Sequence, residues 1–275
     1  MTEKSNPSPE EPAIGTEIVT EIDGHLTIIR INRPARLNAL NAAAHLDLRA
    51  ALESASNDDN CRAVMLTGTG RGFCVGQDLG DRDPSKMDQI PDLGDTLRTY
   101  YNPTIQVITD MNKPVIAAVN GVAAGAGVNI ALACDIVIAT TSASFIQAFV
   151  KIGLTPDAGG SWILPRLIGM ARAKGLAMTG MPLPAETAAE WGMIWACYPD
   201  DEFGDAAKTL GQQLANGPTI GLGLSKAALN ASMGNTLAEQ LDLEAKLQSI
   251  AGSSADYREG VSAFLEKRKA KFQGQ

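Results

Sequence analysis

Histidine is nearly absent from this sequence, which has only two among 275 residues. Its four cysteines are far apart and form no C-x-x-C pair. A zinc site therefore has no plausible ligand set, and nucleophilic schemes that need a histidine base are disfavoured. We expect His25 and His45 to be surface or capping residues, the thiols to be reduced and mostly buried, and no metal to be bound.

Long apolar runs and an excess of positive charge are also missing. No apolar run approaches the ~20 residues that a helix needs to cross a bilayer. The net charge is −8, because 31 acidic residues outnumber 23 basic ones, and this balance disfavours nucleic-acid binding. The first dozen residues are polar and proline-rich, unlike a signal peptide. The sequence thus predicts a flexible tail over residues 1–15, a cytoplasmic location, and neither a membrane nor a nucleic-acid partner.

Short apolar runs that end in turns indicate an α/β fold. Two β-branched runs flank Asp23 and Gly24, a dipeptide that is a strong hairpin signal. Three buried-looking runs each lead into a turn and a helical pattern, at residues 63–67, 115–119 and 136–139. Repeated strand, turn and helix units predict parallel pairing, in a core that we place at residues 16–201.

The segments around this core differ in character. Residues 79–95 are polar and contain prolines, which predicts a mobile surface loop of the kind that covers pockets. Beyond residue 202 no strand pattern remains, and Thr236 with Glu239 forms a capping box before an amphipathic helix. We therefore expect a helical region over residues 202–275, whose apolar faces pack on the core or on another subunit.

The most informative stretch is the glycine-rich run at residues 119–127, which follows a predicted strand and opens a helix. Such a helix start leaves N–H groups unpaired beside the positive end of the helix dipole, which suits negative charge. The dinucleotide fingerprint fails here, because Ile130 stands where its third glycine belongs; a second glycine cluster fails likewise at Val75. Two interpretations of the glycine-rich run remain. It stabilises negative charge that develops during a reaction, or it is only a tight turn.

Among the carboxylates, Asp157 stands apart because it lies in an apolar segment just before a helical pattern. It could be an N-terminal helix cap, a position that Asp fills well. It could equally be a carboxyl in a dry pocket, with its pKa raised by desolvation so that it can take up and return a proton. The residues alone leave both interpretations open.

In order and spacing, several segments resemble the crotonase (enoyl-CoA hydratase/isomerase) superfamily, and the resemblance runs from about residue 17 to residue 272. The matching segments are residues 32–40, 72–79, 113–121, 134–137 and 259–268. The resemblance implies a spiral of repeated ββα units, followed by helices that drive assembly into a trimer or a dimer of trimers. It also implies an acyl-CoA thioester as substrate, with no separate cofactor because coenzyme A is part of that substrate.

The resemblance also implies which residues carry the chemistry. The main-chain amides of Gln77 and Ala126 would stabilise an enolate on the thioester oxygen. The two catalytic glutamates of the hydratases are replaced by Asn129 and Phe149, so ordinary hydratase activity is not expected. Asp157 matches the acidic residue of isomerases and dehalogenases in the superfamily. A single carboxyl suits a proton shuttle between two carbons.

A narrower set of segments resembles the isomerases of this family that convert the ring epoxide of an aromatic acyl-CoA to an oxepin. These segments are residues 76–82, 91–94, 101–103, 154–160, 190–195 and 254–260. The sequence therefore predicts isomerisation of a ring epoxide, of a 3-enoyl-CoA double bond, or of both. A hydratase-like activity, a dehalogenase-like nucleophile at Asp157 and a non-catalytic acyl-CoA-binding protein are the alternatives.

The family pattern also implies contacts to the substrate. Ala35 and Arg36 would lie near the pantetheine–phosphate arm, and Phe264 and Lys267 of the last helix would complete a neighbouring subunit's site. The other expected contacts are Val75, Asp78 and Leu79 around the adenine, with Gly125, Asn129 and Phe149 nearer the acyl group.

Overall fold

The architecture comes from a computed structural model, which describes residues 17–83, 85 and 91–275. The predicted tail over residues 1–15 lies outside the described residues. So do residues 84 and 86–90 of the predicted loop at 79–95, whose described ends form a 3₁₀ turn and the start of a helix.

The strands form two sheets. In the described part of the chain they are β1 (Ile18–Asp23), β2 (Leu26–Ile31), β3 (Ala63–Gly68), β4 (Gly72–Cys74), β5 (Val115–Val119), β6 (Val122–Ala124), β7 (Ile136–Thr140), β8 (Ser144–Ile146), β9 (Pro182–Pro184) and β10 (Ala196–Tyr198). The larger sheet has the order β1-β2-β3-β5-β7-β10, and the smaller one has the order β4-β6-β8-β9.

Pairing follows the sequence prediction. Strands β1 and β2 form an antiparallel hairpin in which Asp23 pairs with Leu26, so the predicted hairpin is confirmed. From β2 to β10 every neighbouring pair of the larger sheet is parallel, as predicted. Strands β3, β5 and β7 each continue into a short strand of the smaller sheet, which is the ββα repeat expected from the resemblance.

Ten helices are present in the described part of the chain. They are α1 (Ala42–Asn57), α2 (Leu93–Thr96), α3 (Asn102–Asp110), α4 (Ala126–Leu132), α5 (Gly160–Thr179), α6 (Ala185–Glu190), α7 (Phe203–Ala215), α8 (Thr219–Ser232), α9 (Leu237–Ser253) and α10 (Ala255–Leu265). A π-helical turn, Leu97–Tyr101, joins α2 to α3, and 3₁₀ turns span Pro34–Arg36, Leu79–Arg82 and Ala148–Ile152.

The C-terminal helices differ in how they pack. Phe203 and Ala207 of α7 are buried against the larger sheet, where they join a core cluster with Leu26 and Met65. Helix α9 has the predicted capping box of Thr236 and is without a buried residue along its length. Among the described residues, no helix is both long and apolar enough to span a membrane.

Candidate active site

A cavity of about 880 Å³ lies between the loop after β4, the π-helical turn, the start of α4 and the segment that leads into α5. Most of its wall is apolar. The apolar side chains on the wall include Val75, Leu79, Leu97, Phe149, Ile152 and Leu154. Gln77, Tyr101, Ala126 and Asp157 also line this cavity, so it brings together the three predicted catalytic residues.

The Gln77 amide is left free by the way its loop pairs with Leu40. Leu40 N–H donates to Gly76 O at 2.7 Å, and Asp78 N–H donates to Leu40 O at 2.9 Å. Successive amides of an extended segment point to opposite sides, so the Gln77 N–H faces away from this pairing. It donates to no acceptor among the described residues.

The Ala126 amide has no acceptor among the described residues, because it opens helix α4, where the first N–H groups have no partner in the helix. The preceding Gly125 has φ +53 and ψ −130, a conformation that side-chain-bearing residues rarely adopt. A Cβ on Gly76 would lie 3.1 Å from the Ala126 nitrogen, and one on Gly127 would overlap the Cys74 main-chain oxygen. The two loops can approach each other this closely because glycines lie between them.

Asp157 places a carboxyl on the same cavity wall. Its Oδ1 atom is buried and has no hydrogen-bond partner in the described part of the chain. Burial raises the pKa of this carboxyl from 3.8 to about 6, although a hydrogen bond from its own amide opposes the rise. The N-cap of α5 is Gly159, and that cap has no side-chain hydrogen bond. The helix-cap interpretation of Asp157 is therefore wrong, and its carboxyl is available for proton transfer.

Asn129 does not line the cavity, so its predicted substrate contact is corrected. Its side chain is fully buried behind the wall. Its Nδ2 donates to the Asp157 main-chain oxygen at 2.8 Å, and its Oδ1 accepts from Gln147 Nε2 at 2.9 Å. Both ends of the Asn129 amide are thus occupied by the protein, and the residue supports the segment that carries Asp157.

The carboxylate of Asp78, a residue that the family pattern places near the adenine, is held by contacts within the protein. Its buried carboxylate lies 3.0 Å from Arg33 Nη1 and accepts from Gly80 N–H at 3.0 Å. The ion pair crosses from the segment before α1 to the loop that presents Gln77. Asp78 therefore fixes this loop, and its carboxylate is not on the cavity wall.

Two residues lie at or behind the cavity wall although the sequence did not predict that position for either of them. Tyr101 is buried on the cavity wall, and its hydroxyl donates to Gln77 Oε1 at 3.3 Å. His45 lies behind it with ring centroids 4.2 Å apart, so the prediction of a surface or capping histidine is wrong. Both His45 nitrogens are buried without a partner among the described residues, and burial lowers the pKa of His45 to about 4. Long-range packing of this kind leaves no signal in the local sequence.

Comparison with known proteins agrees with this geometry. The family model for enoyl-CoA hydratase/isomerase matches residues 21–275. The 1,2-epoxyphenylacetyl-CoA isomerase of Escherichia coli is 51% identical over 94% of this chain and 98% of its own. The short-chain-enoyl-CoA hydratase of Clostridium acetobutylicum is 34% identical over 92% of this chain and 95% of its own. This chain belongs to the enoyl-CoA hydratase/isomerase family.

Solved structures of this family share the fold. The crystal structure of an enoyl-CoA hydratase from Bacillus anthracis superimposes with a TM-score of 0.88 at 32% identity, covering 94% of this chain and 100% of the other. The predicted family and the predicted crotonase-like fold are both confirmed.

Four of the other predicted substrate contacts, Val75, Leu79, Gly125 and Phe149, lie on the cavity wall. The last four lie away from it. Ala35 and Arg36 are exposed in the first 3₁₀ turn. Phe264 is 82% exposed near the end of α10, beside a second hollow of about 620 Å³. Lys267 lies two residues beyond α10 with φ +54, so its predicted place on the last helix is wrong. Contact of these four residues with coenzyme A stays a prediction.

Proposed function

We propose that this protein is an acyl-CoA isomerase in which Asp157 is the single acid and base. The observation that carries the proposal is a buried Asp157 oxygen on the same cavity wall as the main-chain amides of Gln77 and Ala126, where all three groups lack a hydrogen-bond partner in the described part of the chain. A carboxyl with a pKa near 6 can both take up and release a proton close to neutral pH.

In this reaction the thioester oxygen accepts hydrogen bonds from the two amides. The Asp157 carboxylate removes the α-proton, the α-carbon–hydrogen bond breaks, and its electron pair moves into an enolate on the thioester oxygen. Asp157 then returns the proton to the γ-carbon, and the double bond of a 3-enoyl thioester moves to the 2-position. Each amide contributes about 3 kcal/mol to the stability of the developing oxyanion.

The replaced glutamates argue against hydration as the main reaction. Adding water to a double bond needs one group to activate water and another to handle the α-proton. Asn129 is held by Gln147 and by the Asp157 main chain, and Phe149 is apolar and buried. Neither can act as an acid or a base.

We assign 1,2-epoxyphenylacetyl-CoA as the preferred substrate, converted from the ring epoxide to the oxepin. The name of the Escherichia coli relative at 51% identity supports this choice. The apolar wall and the volume of about 880 Å³ also suit an aromatic acyl group. The carbon–carbon bond that the epoxide shares with the six-membered ring breaks, so the ring expands to seven members and the epoxide oxygen becomes the oxepin oxygen. The proton that moves from the α-carbon to a ring carbon uses the same carboxyl and the same two amides as the shift in a 3-enoyl-CoA.

The test is a panel of ring-epoxide, 3-enoyl and 2-enoyl thioesters with product identification, for the wild type and for Asp157→Asn. We expect isomerisation of the first two thioesters, and a loss of at least about 1,000-fold in kcat in the variant with little change in thioester affinity. Asp95→Asn removes an exposed carboxylate that pairs with Arg98 and is the matched control. If Asp157→Asn retains wild-type turnover, the proposal is wrong.

The same panel separates the rival mechanism. If Asp157 were a nucleophile, as in dehalogenases, mass spectrometry of the enzyme during turnover would show a covalent adduct on the peptide that contains it. We expect no adduct. A protein that binds all three thioesters and converts none would instead be a non-catalytic member of the family.

We further propose that the protein assembles into a trimer or a dimer of trimers through its C-terminal helices. Large apolar side chains are exposed there, namely Leu237, Leu241, Ile250, Phe264 and Leu265. Several large apolar side chains exposed on neighbouring helices are typical of surfaces that bind another protein. Light scattering after size-exclusion chromatography should give three or six times the monomer mass of 28.9 kDa, and a monomer would contradict the proposal.

A further inference from the structure

Tyr101 is a polar group on a mostly apolar wall, and the mechanism above does not use it. The residue is only 2% exposed, yet it lines the cavity together with Gln77 and Asp157. Among the described residues its hydroxyl has one hydrogen-bond partner, Gln77 Oε1 at 3.3 Å. That distance is long for a bond between two oxygen atoms, so a better-placed acceptor can replace Gln77.

The backbone places Tyr101 in the cavity by an unusual turn. Tyr101 ends the π-helical turn Leu97–Tyr101, in which Asn102 N–H donates to Leu97 O. Turns of this type are rare and occur often at functional sites, because the extra residue changes which side chain faces inward. Here Tyr101 faces the cavity, while the neighbouring Tyr100 is not on its wall.

The ring of Tyr101 is held from behind. His45 of α1 meets it edge to face with ring centroids 4.2 Å apart, and the same imidazole stacks on Tyr100 at 5.6 Å. Thr104 Oγ1 donates to Tyr100 O at 2.9 Å and fixes the turn itself. The hydroxyl therefore has a defined position, as a group that contacts a substrate needs.

Tyr101 is a hydrogen-bond donor rather than a base. Burial raises the pKa of its hydroxyl well above the usual value, and the nearby Cys74 and Asp157 raise it further. The group stays protonated at every pH at which Asp157 can cycle between its two forms. Tyr101 thus adds a fixed hydrogen-bond donor to a cavity that also presents Asp157 and the main-chain amides of Gln77 and Ala126.

We propose that the Tyr101 hydroxyl donates a hydrogen bond to an ether-type oxygen of the acyl group and makes the site selective for oxygenated acyl-CoA thioesters. This inference rests on the proposed function, because it assumes that the acyl group fills the cavity beside Asp157. An ether oxygen offers this hydroxyl a better-placed acceptor than Gln77 Oε1, and a hydrocarbon acyl group of the same shape offers none, so the hydrocarbon binds less tightly. Ring epoxides and oxepins both carry such an oxygen.

The test uses two unreactive ligands of the same shape. 2-Methoxyphenylacetyl-CoA and 2-ethylphenylacetyl-CoA differ only by an ether oxygen in place of a methylene group. We expect the wild type to bind the methoxy compound about 3- to 10-fold more tightly in calorimetric titrations, the ratio that one neutral hydrogen bond produces. Tyr101→Phe should abolish this preference, since it removes one oxygen and keeps the ring against His45.

Tyr100→Phe is the matched control, because it removes a hydroxyl from the same turn but not from the cavity wall. It should keep the wild-type preference. If Tyr101→Phe also keeps the preference, or if the wild type shows none, the inference is wrong. The affinity ratio does not depend on turnover, so a protein with the preference but without isomerase activity would contradict only the proposed function.

Discussion

The side-chain amide of Asn129 donates to the main-chain oxygen of Asp157 at 2.8 Å, from behind the wall that carries the Asp157 carboxyl. The same oxygen accepts from Gly160 N–H at 2.8 Å. The two residues between Asp157 and Gly160 have positive φ angles, +46 at Ala158 and +79 at Gly159. Left-handed backbone at a non-glycine residue persists only where its surroundings hold it in place. Asn129 therefore holds in place the segment that carries the proposed base.

This pairing predicts that Asn129→Ala lowers kcat by about tenfold or more with a smaller change in KM, because the Asp157 segment is no longer held in register. Stability should fall by about 1–3 kcal/mol, since the variant leaves the Gln147 amide without its acceptor. Steady-state kinetics and chemical unfolding measure the two effects.

The matched control is Asn120→Ala. Asn120 Oδ1 accepts from Gly68 N–H at 3.0 Å and its Nδ2 donates to Gly70 O at 2.8 Å, in a turn that is not on the cavity wall. Its loss should cost similar stability and leave kcat unchanged. Equal losses of kcat in both variants would refute a specific role for Asn129.

Asp157→Asn should make the protein more stable at neutral pH. The folded-state pKa of Asp157 is raised by burial from 3.8 to about 6, so the folded protein binds the proton more tightly than the unfolded chain. The stabilisation by this proton is complete below pH 3.8 and is lost as the pH rises towards 6. The amide has no such loss, so the variant should exceed the wild type by about 2–3 kcal/mol at pH 7.5.

Chemical unfolding at pH 4.5 and pH 7.5 and at one protein concentration measures this difference. The gap between the variant and the wild type should widen with pH. A gap that is constant, or that narrows as the pH rises, would mean that the carboxyl is not desolvated in the folded protein.

The contribution of His45 to folding stability should change with pH in the opposite direction to that of Asp157. Burial lowers its folded-state pKa from 6.5 to about 4, so the unfolded chain binds the proton more tightly. Stability from the neutral imidazole is complete above pH 6.5 and is lost as the pH falls towards 4. Between pH 7.5 and 5 the wild type should lose about 2 kcal/mol more than His45→Phe. If both proteins lose equal stability over this range, the imidazole is not buried as described.

Gly127→Ala should disrupt the pair of amides. A methyl group at this position would overlap the Cys74 main-chain oxygen, so α4 must move away from the loop that carries Gln77. We expect kcat/KM to fall by about 100-fold or more, the usual effect of losing one oxyanion donor.

The control is Gly175→Ala on α5, where nothing lies within 4 Å of the added methyl group. This change should leave kcat/KM unaltered and stabilise the helix by about 0.5–1 kcal/mol. If Gly127→Ala is as active as Gly175→Ala, the close approach of the two loops does not matter for the reaction.

Local signals made much of this fold predictable. The Asp23-Gly24 turn, the short strands that each end in a turn, and the capping box of Thr236 depend on residues within a few positions of one another. The free Ala126 amide follows from the helix start in the same way. The resemblance to the family suggested roles for Gln77 and Asp157, and the structure places both residues with Ala126 on one cavity wall.

The remaining features depend on contacts between distant segments. Asp78 pairs with Arg33, 45 positions earlier in the chain, so the residues next to it in sequence could not predict this ion pair. His45 is polar by type, but the tyrosines of the π-helical turn enclose it. Asn129 forms its hydrogen bonds with Gln147 and Asp157 across two different elements. The hydrophobic periodicity of a single segment cannot predict such contacts.

The most direct measurement follows one deuterium atom through a single turnover of 3-enoyl-CoA labelled at the α-carbon. If one carboxyl in a shielded cavity moves the proton, a substantial fraction of the deuterium should appear at the γ-carbon of the product, and Asp157→Asn should give no product. Complete loss of the label to water, together with product formation by Asp157→Asn, would contradict the account.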